Sequence, residues 1–284
     1  MNARLGLILA TAALFSGAGC AAGAGGGSTG PGATTMPSGV SGTVLEEGIR
    51  PRDNAQTRAA EDFLDQAMEA ADETQKTALY QQALSAAMEG IAADSGNPQS
   101  YYQAAIASVN VGEYAQAAEM FDKAETMHPR YILQTEPWRE RGWVNAYNDG
   151  IVPLNSGDLE AAAELFESAN DLYAARPEAY LQLGSVYSRL NRPEESAGAF
   201  REARAMLEES KAVALADTLQ AATWEEHWEI ATLGLGQALQ LSEQWSQAAD
   251  LYGQMLADDP DNPSIIGSLA SVLTEMNMPD SVDA

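Results

Sequence analysis

The chain has 284 residues, of which 45% are hydrophobic and 20% charged, and its formal net charge is -26 at pH 7. This excess of negative charge disfavours nucleic acids and anionic lipid surfaces as partners. The single cysteine excludes an intramolecular disulfide, and with only two histidines it also excludes a zinc site built from cysteine and histidine.

Residues 1–19 have the organisation of a secretory signal peptide. A start containing the positive Arg4 precedes an apolar run from Leu5 to Phe15, and small residues follow up to Cys20. At about 11 residues, the apolar run is shorter than the roughly 20 residues that a membrane-spanning helix needs. We therefore expect an exported protein whose mature chain does not cross a membrane.

Cys20 lies directly after the apolar run, and this position resembles the lipobox of bacterial lipoproteins. The resemblance implies that cleavage leaves Cys20 as a diacylated first residue and that the protein is an outer-membrane lipoprotein of the bacterial cell envelope, facing the periplasm. A competing cleavage position exists at Ala24, where Ala22-Gly23-Ala24 suits the ordinary signal peptidase and would leave no anchor. Residues 20–44 are uncharged and rich in Gly, Ser and Ala, a composition typical of a flexible tether.

Residues 98–131 contain a pattern of small, aromatic and helix-ending residues that recurs with a period of 34. Gly112 and Pro129 predict the ends of two helices, since glycine favours a helix C-terminus and proline cannot continue a helix. Ala117 and Ala124 allow the two helices to approach closely, and Phe121 fills the space between neighbouring units. The same positions carry Gly157, Phe166 and Ala169 in unit 143–176, Phe200 and Ala203 in unit 177–210, and Ala248 and Pro260 in unit 229–262. A second glycine position, the eighth of the unit, is occupied by Gly150, Gly184 and Gly236.

This pattern resembles the tetratricopeptide repeat family, in which each unit of 34 residues is a pair of antiparallel helices. The resemblance implies an all-α fold, a right-handed α-solenoid of about 10–12 helices that occupies residues 45–284. Residues 64–97 retain part of the pattern and are interpreted as a degenerate first unit. Pro263 favours the start of a capping helix over residues 263–276, in which Ile266, Leu269 and Leu273 would cover the last unit.

Two segments interrupt the repeat, at residues 132–142 and 211–228. In the first, Thr135-Glu136-Pro137 predicts a helix start ahead of the second unit, and Pro153 predicts a kink or an early end of that helix. In the second, Thr223 and Glu226 have the spacing of a capping box, so the preceding helix should run on and a new one should start near Trp224. Features particular to this protein are expected at these interruptions.

No pattern in the sequence is typical of a catalytic, cofactor or metal site. His128 precedes Pro129 at a predicted helix end, a position that favours a capping role. His227 has no second histidine at metal-binding spacing, which leaves a surface contact with neighbouring glutamates as the metal-binding alternative. The acidic run 258–261 lacks the spacing of a calcium loop, and no nucleophile elbow or phosphate-binding loop is present. We predict a protein that is not an enzyme and needs no cofactor.

The resemblance also implies a binding surface, because in this family the first helix of each unit lines a concave groove. The corresponding side chains, mostly aliphatic, aromatic or amide-bearing, are Tyr102, Ile106, Asn110, Tyr147, Ile151, Asn155, Leu181, Ser185, Arg189, Leu233 and Gln237. The Lys and Asn set with which some members clamp a terminal carboxylate is absent from these positions. The resemblance therefore implies that the groove docks another envelope protein or an extended peptide of one.

Two alternatives to this prediction remain open. In the first, the groove residues pack against neighbouring helices or against the protein's own insertions and bind nothing. In the second, the chain is a periplasm-facing module that binds a small ligand, a peptide or a glycan, for uptake or sensing. In each case the membrane is contacted only through the N-terminal lipid.

Overall fold

The structure, a computed structural model, describes residues 46–277. This part of the chain folds into eleven α-helices and one short 3-10 turn, Pro129–Tyr131, and contains no β-strand. The helices are α1 (Ala55–Glu69), α2 (Glu73–Ala93), α3 (Pro98–Val111), α4 (Tyr114–Met127), α5 (Ile132–Ser156), α6 (Leu159–Leu172), α7 (Glu178–Arg189), α8 (Pro193–Ala214), α9 (Thr218–Leu241), α10 (Trp245–Asp258) and α11 (Pro263–Asn277). The prediction of an all-α solenoid of about 10–12 helices is confirmed. The predicted signal peptide, Cys20 and the tether lie outside the described residues.

The helices are arranged as consecutive pairs, because each helix packs on the next one in the chain. Among the odd-numbered helices, α1 also contacts α3, α3 contacts α5 and α7 contacts α9. First helices of neighbouring pairs therefore contact each other along α1, α3 and α5 and again between α7 and α9, in a stack where each unit contacts its neighbours. No helix within residues 46–277 is both long and apolar enough to cross a membrane.

Capping residues and glycines define where the helices begin and end. The side chains of Asn97 and Asn262 accept backbone N–H groups at the starts of α3 and α11, and a proline is the first residue of each of these helices. Gly112 and Gly157 follow α3 and α5 with φ angles of 87°. That left-handed conformation is open to glycine without strain, so both residues end their helices sharply.

The recurrent glycine and aromatic residues of the units pack on each other. In the α5/α6 pair, Phe166 is 0% exposed, and a Cβ atom added at Gly150 would lie 2.9 Å from its ring. The same contact recurs between Gly184 and Phe200 and between Gly236 and Tyr252. Each glycine thus allows the first helix of a pair to pass directly over the aromatic ring of the second, which brings the two helices close together.

The first interruption of the repeat lengthens α5 at its front, but the helix does not start at Thr135 as predicted. It begins directly after the 3-10 turn, and both Pro137 and Pro153 lie inside it. Of the two outcomes predicted for Pro153, a kink or an early end of the helix, the early end is wrong, because the helix continues to Ser156. Each internal proline costs about 3 kcal/mol or more, and the burial of the intervening face, with Trp143 only 3% exposed, offsets that cost.

The second interruption is divided between two helices. α8 runs on as expected, whereas α9 starts at Thr218 and not near Trp224. The Asp217 carboxylate accepts an N–H of the first turn of α9 at 3.1 Å, and the indole N–H of Trp224 donates to the Leu207 backbone oxygen in α8 at 2.7 Å. An earlier cap and packing on α8 therefore move the helix start, and the predicted capping box at 223–226 lies inside α9.

The last helix covers the end of the array with a different face from the predicted one. Ile265 and Val272 are buried in the core, and Leu269 packs beside them. Ile266 and Leu273, which were expected to cover the last unit, are 47% and 43% exposed. Because α11 packs mainly on α10, only a narrow stripe of it is buried, and that stripe begins one residue earlier than predicted.

Candidate functional site

A cavity of about 430 Å³ lies between α1, α3 and α5, the first helices of the first three pairs. α1 and α3 each present residues at i, i+3, i+4 and i+7, which is one face of a helix. The lining residues are Glu61, Leu64, Asp65 and Met68 of α1, Tyr80 of α2, Gln99, Tyr102, Gln103 and Ile106 of α3, Gln134 and Trp138 of α5, and Pro51, His128 and Tyr131 from connecting segments. We call this feature the α1/α3/α5 cavity.

The segment before α1 contributes Pro51 to the cavity lining, and hydrogen bonds of its backbone groups hold it in place. The Ile49 N–H donates to the Met127 backbone oxygen at 2.7 Å, at the end of α4. The Arg52 N–H donates to the Asn97 side-chain oxygen at 3.0 Å, and the Asn97 amide returns a bond to the Arg52 backbone oxygen at 2.7 Å. Gly48, with φ of 62°, permits the close approach to α4. These contacts fix Pro51 at the edge of the cavity.

The extended front of α5 is held against α4 and α6 by one arginine. Arg139 donates to Glu125 at 2.8 Å and to Asp122 at 2.6 Å, both on α4, and to the Leu172 backbone oxygen of α6 at 3.2 Å. The Arg139 side chain is only 12% exposed, so these charge-assisted bonds are shielded from solvent. They position the preceding residue, Trp138, at the cavity.

Part of the cavity wall, which we call the aromatic wall, is formed by Tyr102, Tyr131 and Trp138. The rings of Tyr102 and Tyr131 stack with centroids 4.7 Å apart and planes 6° from parallel, and His128 meets Tyr131 edge to face at 4.9 Å. Burial raises the pKa of the Tyr102 hydroxyl, and a hydrogen bond donated by Trp138 opposes that rise. Burial, Tyr102 and Asp53 together raise the pKa of Tyr131. Both phenols are therefore neutral at physiological pH and present uncharged aromatic faces.

Two lining residues carry buried polar atoms without a partner in the described part of the chain. Gln103 is 4% exposed, and its amide nitrogen donates to the Thr57 backbone oxygen at 3.0 Å, but its Oε1 accepts no hydrogen bond. The Nδ1 atom of His128 is likewise buried and unpartnered. An unsatisfied buried polar atom costs about 1–3 kcal/mol, so a ligand that supplies hydrogen bonds here would be stabilised.

Two residues of the sequence-predicted groove line the cavity, Tyr102 and Ile106. Asn110, one turn further along the same face of α3, donates its amide to the Ile106 backbone oxygen at 2.7 Å and is not among the lining residues. The ring of Tyr147 stacks on that of Trp143 with centroids 4.9 Å apart. The Tyr147 hydroxyl accepts a hydrogen bond from the side-chain amide of Gln182 on α7. The predicted groove and the cavity therefore overlap only in α3.

The other predicted groove residues are divided between the core and the surface. Leu181 is buried at 6% exposed, and Ile151 and Leu233 are half-buried. The Ser185 hydroxyl donates to the backbone oxygen of its own helix at 3.1 Å, and the side chains of Asn155, Arg189 and Gln237 are exposed. None of these residues lines the α1/α3/α5 cavity.

Sequence reasoning missed the contributions of α1 and of the first interruption. Glu61, Asp65 and Met68 lie on a helix that starts before the first unit identified from the repeat. A local signal was present: Asn54 caps α1, accepting the Thr57 N–H at 2.8 Å while the Thr57 hydroxyl accepts the Asn54 N–H at 2.9 Å. No comparable signal existed for the aromatic residues around 131–138, whose orientation depends on the packing of α5.

The described residues contain no group of three or more His, Cys, Asp and Glu side chains placed to hold a metal ion. His227 is half-buried on α9, next to the stacked rings of Trp224 and Trp228, whose centroids are 5.2 Å apart. His128 is the C-cap residue of α4, and its backbone N–H donates to the Ala124 oxygen. The cavity itself offers a ligand unpartnered polar atoms and aromatic rings.

A comparison with protein families identifies the class of repeat. The family model for the tetratricopeptide repeat matches residues 177–204, which cover α7 and the first half of α8. This match identifies residues 177–204 as a tetratricopeptide repeat, which lies within the stack of helix pairs. Such a fold supports a protein–protein interaction scaffold.

Individual known proteins resemble parts of the chain. The photosystem I assembly protein Ycf3 of Synechococcus sp. (strain CC9902) is 29% identical over 98 residues, which are 34% of this chain and 52% of that protein. The chain thus spans about half the length of this curated relative. Among solved structures, the Arabidopsis OM64 TPR domain is 13% identical with a TM-score of 0.36, covering 47% of this chain and 96% of that domain. The thermophilic TPR protein TTC0263 of Thermus thermophilus is 18% identical with a TM-score of 0.30, covering 76% of this chain and 100% of that one.

Proposed function

We propose that this protein is a non-catalytic scaffold that binds an extended segment of a partner protein in the α1/α3/α5 cavity. The observation that carries the proposal is the pairing of an aromatic wall with unpartnered buried polar atoms in one cavity, since aromatic burial supplies affinity and polar groups fix orientation. An extended peptide backbone offers an N–H group at every residue except proline, and such a group suits the Oε1 atom of Gln103.

The partner is proposed to be another protein of the bacterial cell envelope. In this proposal residues 1–19 direct export, Cys20 carries the lipid, and residues 20–44 connect the lipid to the repeat array. Support for this part comes from the sequence features of the first 44 residues alone. The resulting protein would be an outer-membrane lipoprotein whose array faces the periplasm, where it would hold one component of an envelope complex.

A second candidate function is the binding of a small ligand, a peptide or a glycan fragment. The volume of the cavity, about 430 Å³, falls within the range of roughly 300–1,000 Å³ that is usual for small-molecule sites. The discriminating measurement is a thermal shift assay with a ligand library. A saturable shift without any protein partner would favour this second candidate over the scaffold.

Two tyrosine variants test the scaffold proposal. Tyr102→Ala removes a ring of the cavity wall, and we expect it to weaken binding of the partner by at least about tenfold, as truncation of an aromatic anchor does. Tyr147→Ala is the matched control, because Tyr147 is also half-buried and stacked on an aromatic ring but lies outside the cavity. We expect it to change binding less than about twofold.

The partner for this test is captured from envelope extract on the full chain, purified, and titrated by biolayer interferometry. Far-UV circular dichroism checks that both variants retain the helical fold. Equal affinities of the wild type and the Tyr102→Ala variant, or an equal loss in the two variants, would contradict the assignment of binding to this cavity.

A further inference from the structure

The α1 side of the cavity carries two carboxylates and no balancing cation. Glu61 and Asp65 are one helical turn apart, so their charges lie side by side on the face that α1 turns to the cavity. Neither takes part in any ion pair formed within residues 46–277, and both side chains are exposed. No Lys or Arg side chain lines the cavity. The residues that line the α1/α3/α5 cavity therefore carry a net negative charge.

An independent observation also indicates a ligand that donates hydrogen bonds. Gln103 lines the same cavity, is 4% exposed, and leaves its Oε1 without a partner. Because its amide nitrogen is already bound to the Thr57 backbone oxygen at 3.0 Å, the orientation of the amide is fixed and the free atom is an acceptor. The carboxylates and this buried oxygen are all hydrogen-bond acceptors, so they favour the same kind of ligand.

The aromatic wall is suited to a cation as well. A Lys or Arg side chain is attracted to the face of a Trp or Tyr ring when it lies within about 6 Å of the centroid. Trp138 already makes one such contact, since the Arg141 guanidinium carbon lies 5.5 Å from its ring centroid. The stacked pair of Tyr102 and Tyr131 offers further ring surface in the same cavity.

We infer that the cavity selects partner segments that carry a Lys or Arg side chain, held between Glu61 and Asp65 on one side and the aromatic wall on the other. This inference rests on the proposed function, because it specifies which segment the scaffold binds. A segment with an acidic side chain or a terminal carboxylate at this place would meet two negative charges and a buried acceptor. Such a segment is excluded by charge repulsion and by the cost of burying an unpaired carboxylate.

The net charge of -26 attracts any cationic peptide non-specifically, so the experiment needs a control for overall charge. The test variant is Glu61→Gln/Asp65→Asn. The control variant is Asp62→Asn/Glu69→Gln, which removes two carboxylates from the same helix at exposed positions outside the cavity. Both double variants change the net charge by the same amount, and only the first alters the lining.

The probe is a random dodecapeptide display library, selected in parallel on the full-length wild-type chain and on the two double variants. We expect Lys and Arg to be enriched about three- to tenfold at one position of the selected peptides on the wild type and on Asp62→Asn/Glu69→Gln. On Glu61→Gln/Asp65→Asn, the enrichment is expected to fall to near one. Synthetic versions of the selected peptides are then titrated against each variant and against Tyr102→Ala.

Three results would overturn the inference. The first two leave the proposed function standing, and the third contradicts both. If the selected peptides lose binding with Tyr102→Ala but show no preference for Lys or Arg, the cavity binds peptides of another chemistry. If Lys and Arg enrichment persists equally on both double variants, the preference comes from overall charge. If no selected peptide loses affinity with Tyr102→Ala, both the inference and the proposed function are wrong.

Discussion

Replacing Phe166 by alanine is expected to lower the free energy of unfolding by about 3–5 kcal/mol, the range for deleting a fully buried phenylalanine. Phe166 is 0% exposed, lies against the backbone of α5 at Gly150, and meets the ring of Tyr147 at 5.5 Å. Because α5 also contacts α3 and α4, we expect it to move only partly into the space that the ring leaves. The variant should therefore retain a cavity between the two helices of its pair.

The matched control for this prediction is Phe63→Ala. Phe63 lies on α1 and is only partly buried at the edge of the core, so its removal exposes less apolar surface and leaves no enclosed space. Urea denaturation followed by circular dichroism gives the free energy of unfolding of each variant. A loss below about 1 kcal/mol for Phe166→Ala, or equal losses for the two variants, would contradict the packing described for the α5/α6 pair.

Substituting alanine for glycine is expected to have opposite effects at two positions of the fourth pair. At Gly184 the added Cβ atom would lie 2.6 Å from the ring of Phe200, which is also covered by Gly234 of α9. This overpacking is expected to destabilise the protein by about 1–3 kcal/mol. At Gly198, on α8, an added Cβ atom meets nothing within 4 Å. There the higher helix propensity of alanine is expected to stabilise the protein by about 0.5–1 kcal/mol.

The effect of Gly184→Ala should change sign when Phe200 is also replaced. In the Phe200→Ala background the ring is gone, so the new methyl group enters free space and alanine stabilises the helix, as it does at Gly198. The four free energies of the double-mutant cycle are measured by urea denaturation. A destabilising effect of Gly184→Ala in both backgrounds would show that the ring is not the cause of the cost.

The regular part of the fold was predictable from the sequence because each unit contacts its neighbours through residues at fixed spacing. Gly150, Gly184 and Gly236 recur at one position of the repeat, and aromatic residues recur 16 residues later in each unit. The structure adds the reason for this pairing, since each glycine packs on the ring of its own unit. Pair contacts of this kind are local, so a sequence period is sufficient to indicate them.

The irregular part was not predictable to the same degree, because tertiary packing overrides local helix signals. The start of α9 at Thr218 depends on the contact of Trp224 with α8, which no local rule includes. The continuation of α5 past Pro153 depends on the buried face around Trp143. In both cases, a helix that continues through a local stop or start signal loses a few kcal/mol of stability. The burial of large side chains contributes a stabilisation of about the same size.

The candidate site lies where regular and irregular segments meet, which explains why only part of it was predicted. Tyr102 and Ile106 occupy regular positions of the repeat and were identified from the family pattern. Trp138 belongs to the extended front of α5, and Glu61 and Asp65 belong to a helix that retains little of the pattern. Their convergence depends on how α1, α3 and α5 pack, and a linear pattern does not contain that information.

Site-specific photo-crosslinking tests the central claim that the α1/α3/α5 cavity binds the partner. A photoreactive phenylalanine analogue replaces Met68, which lines the cavity and is 55% exposed, or Met88 of α2, which is 37% exposed and lies outside it. The full-length variants are irradiated in envelope extract, and crosslinked products are identified by mass spectrometry. We expect a crosslink to one discrete partner from position 68 and none to that protein from position 88. A crosslink to the same partner from position 88 with none from position 68 would contradict the claim.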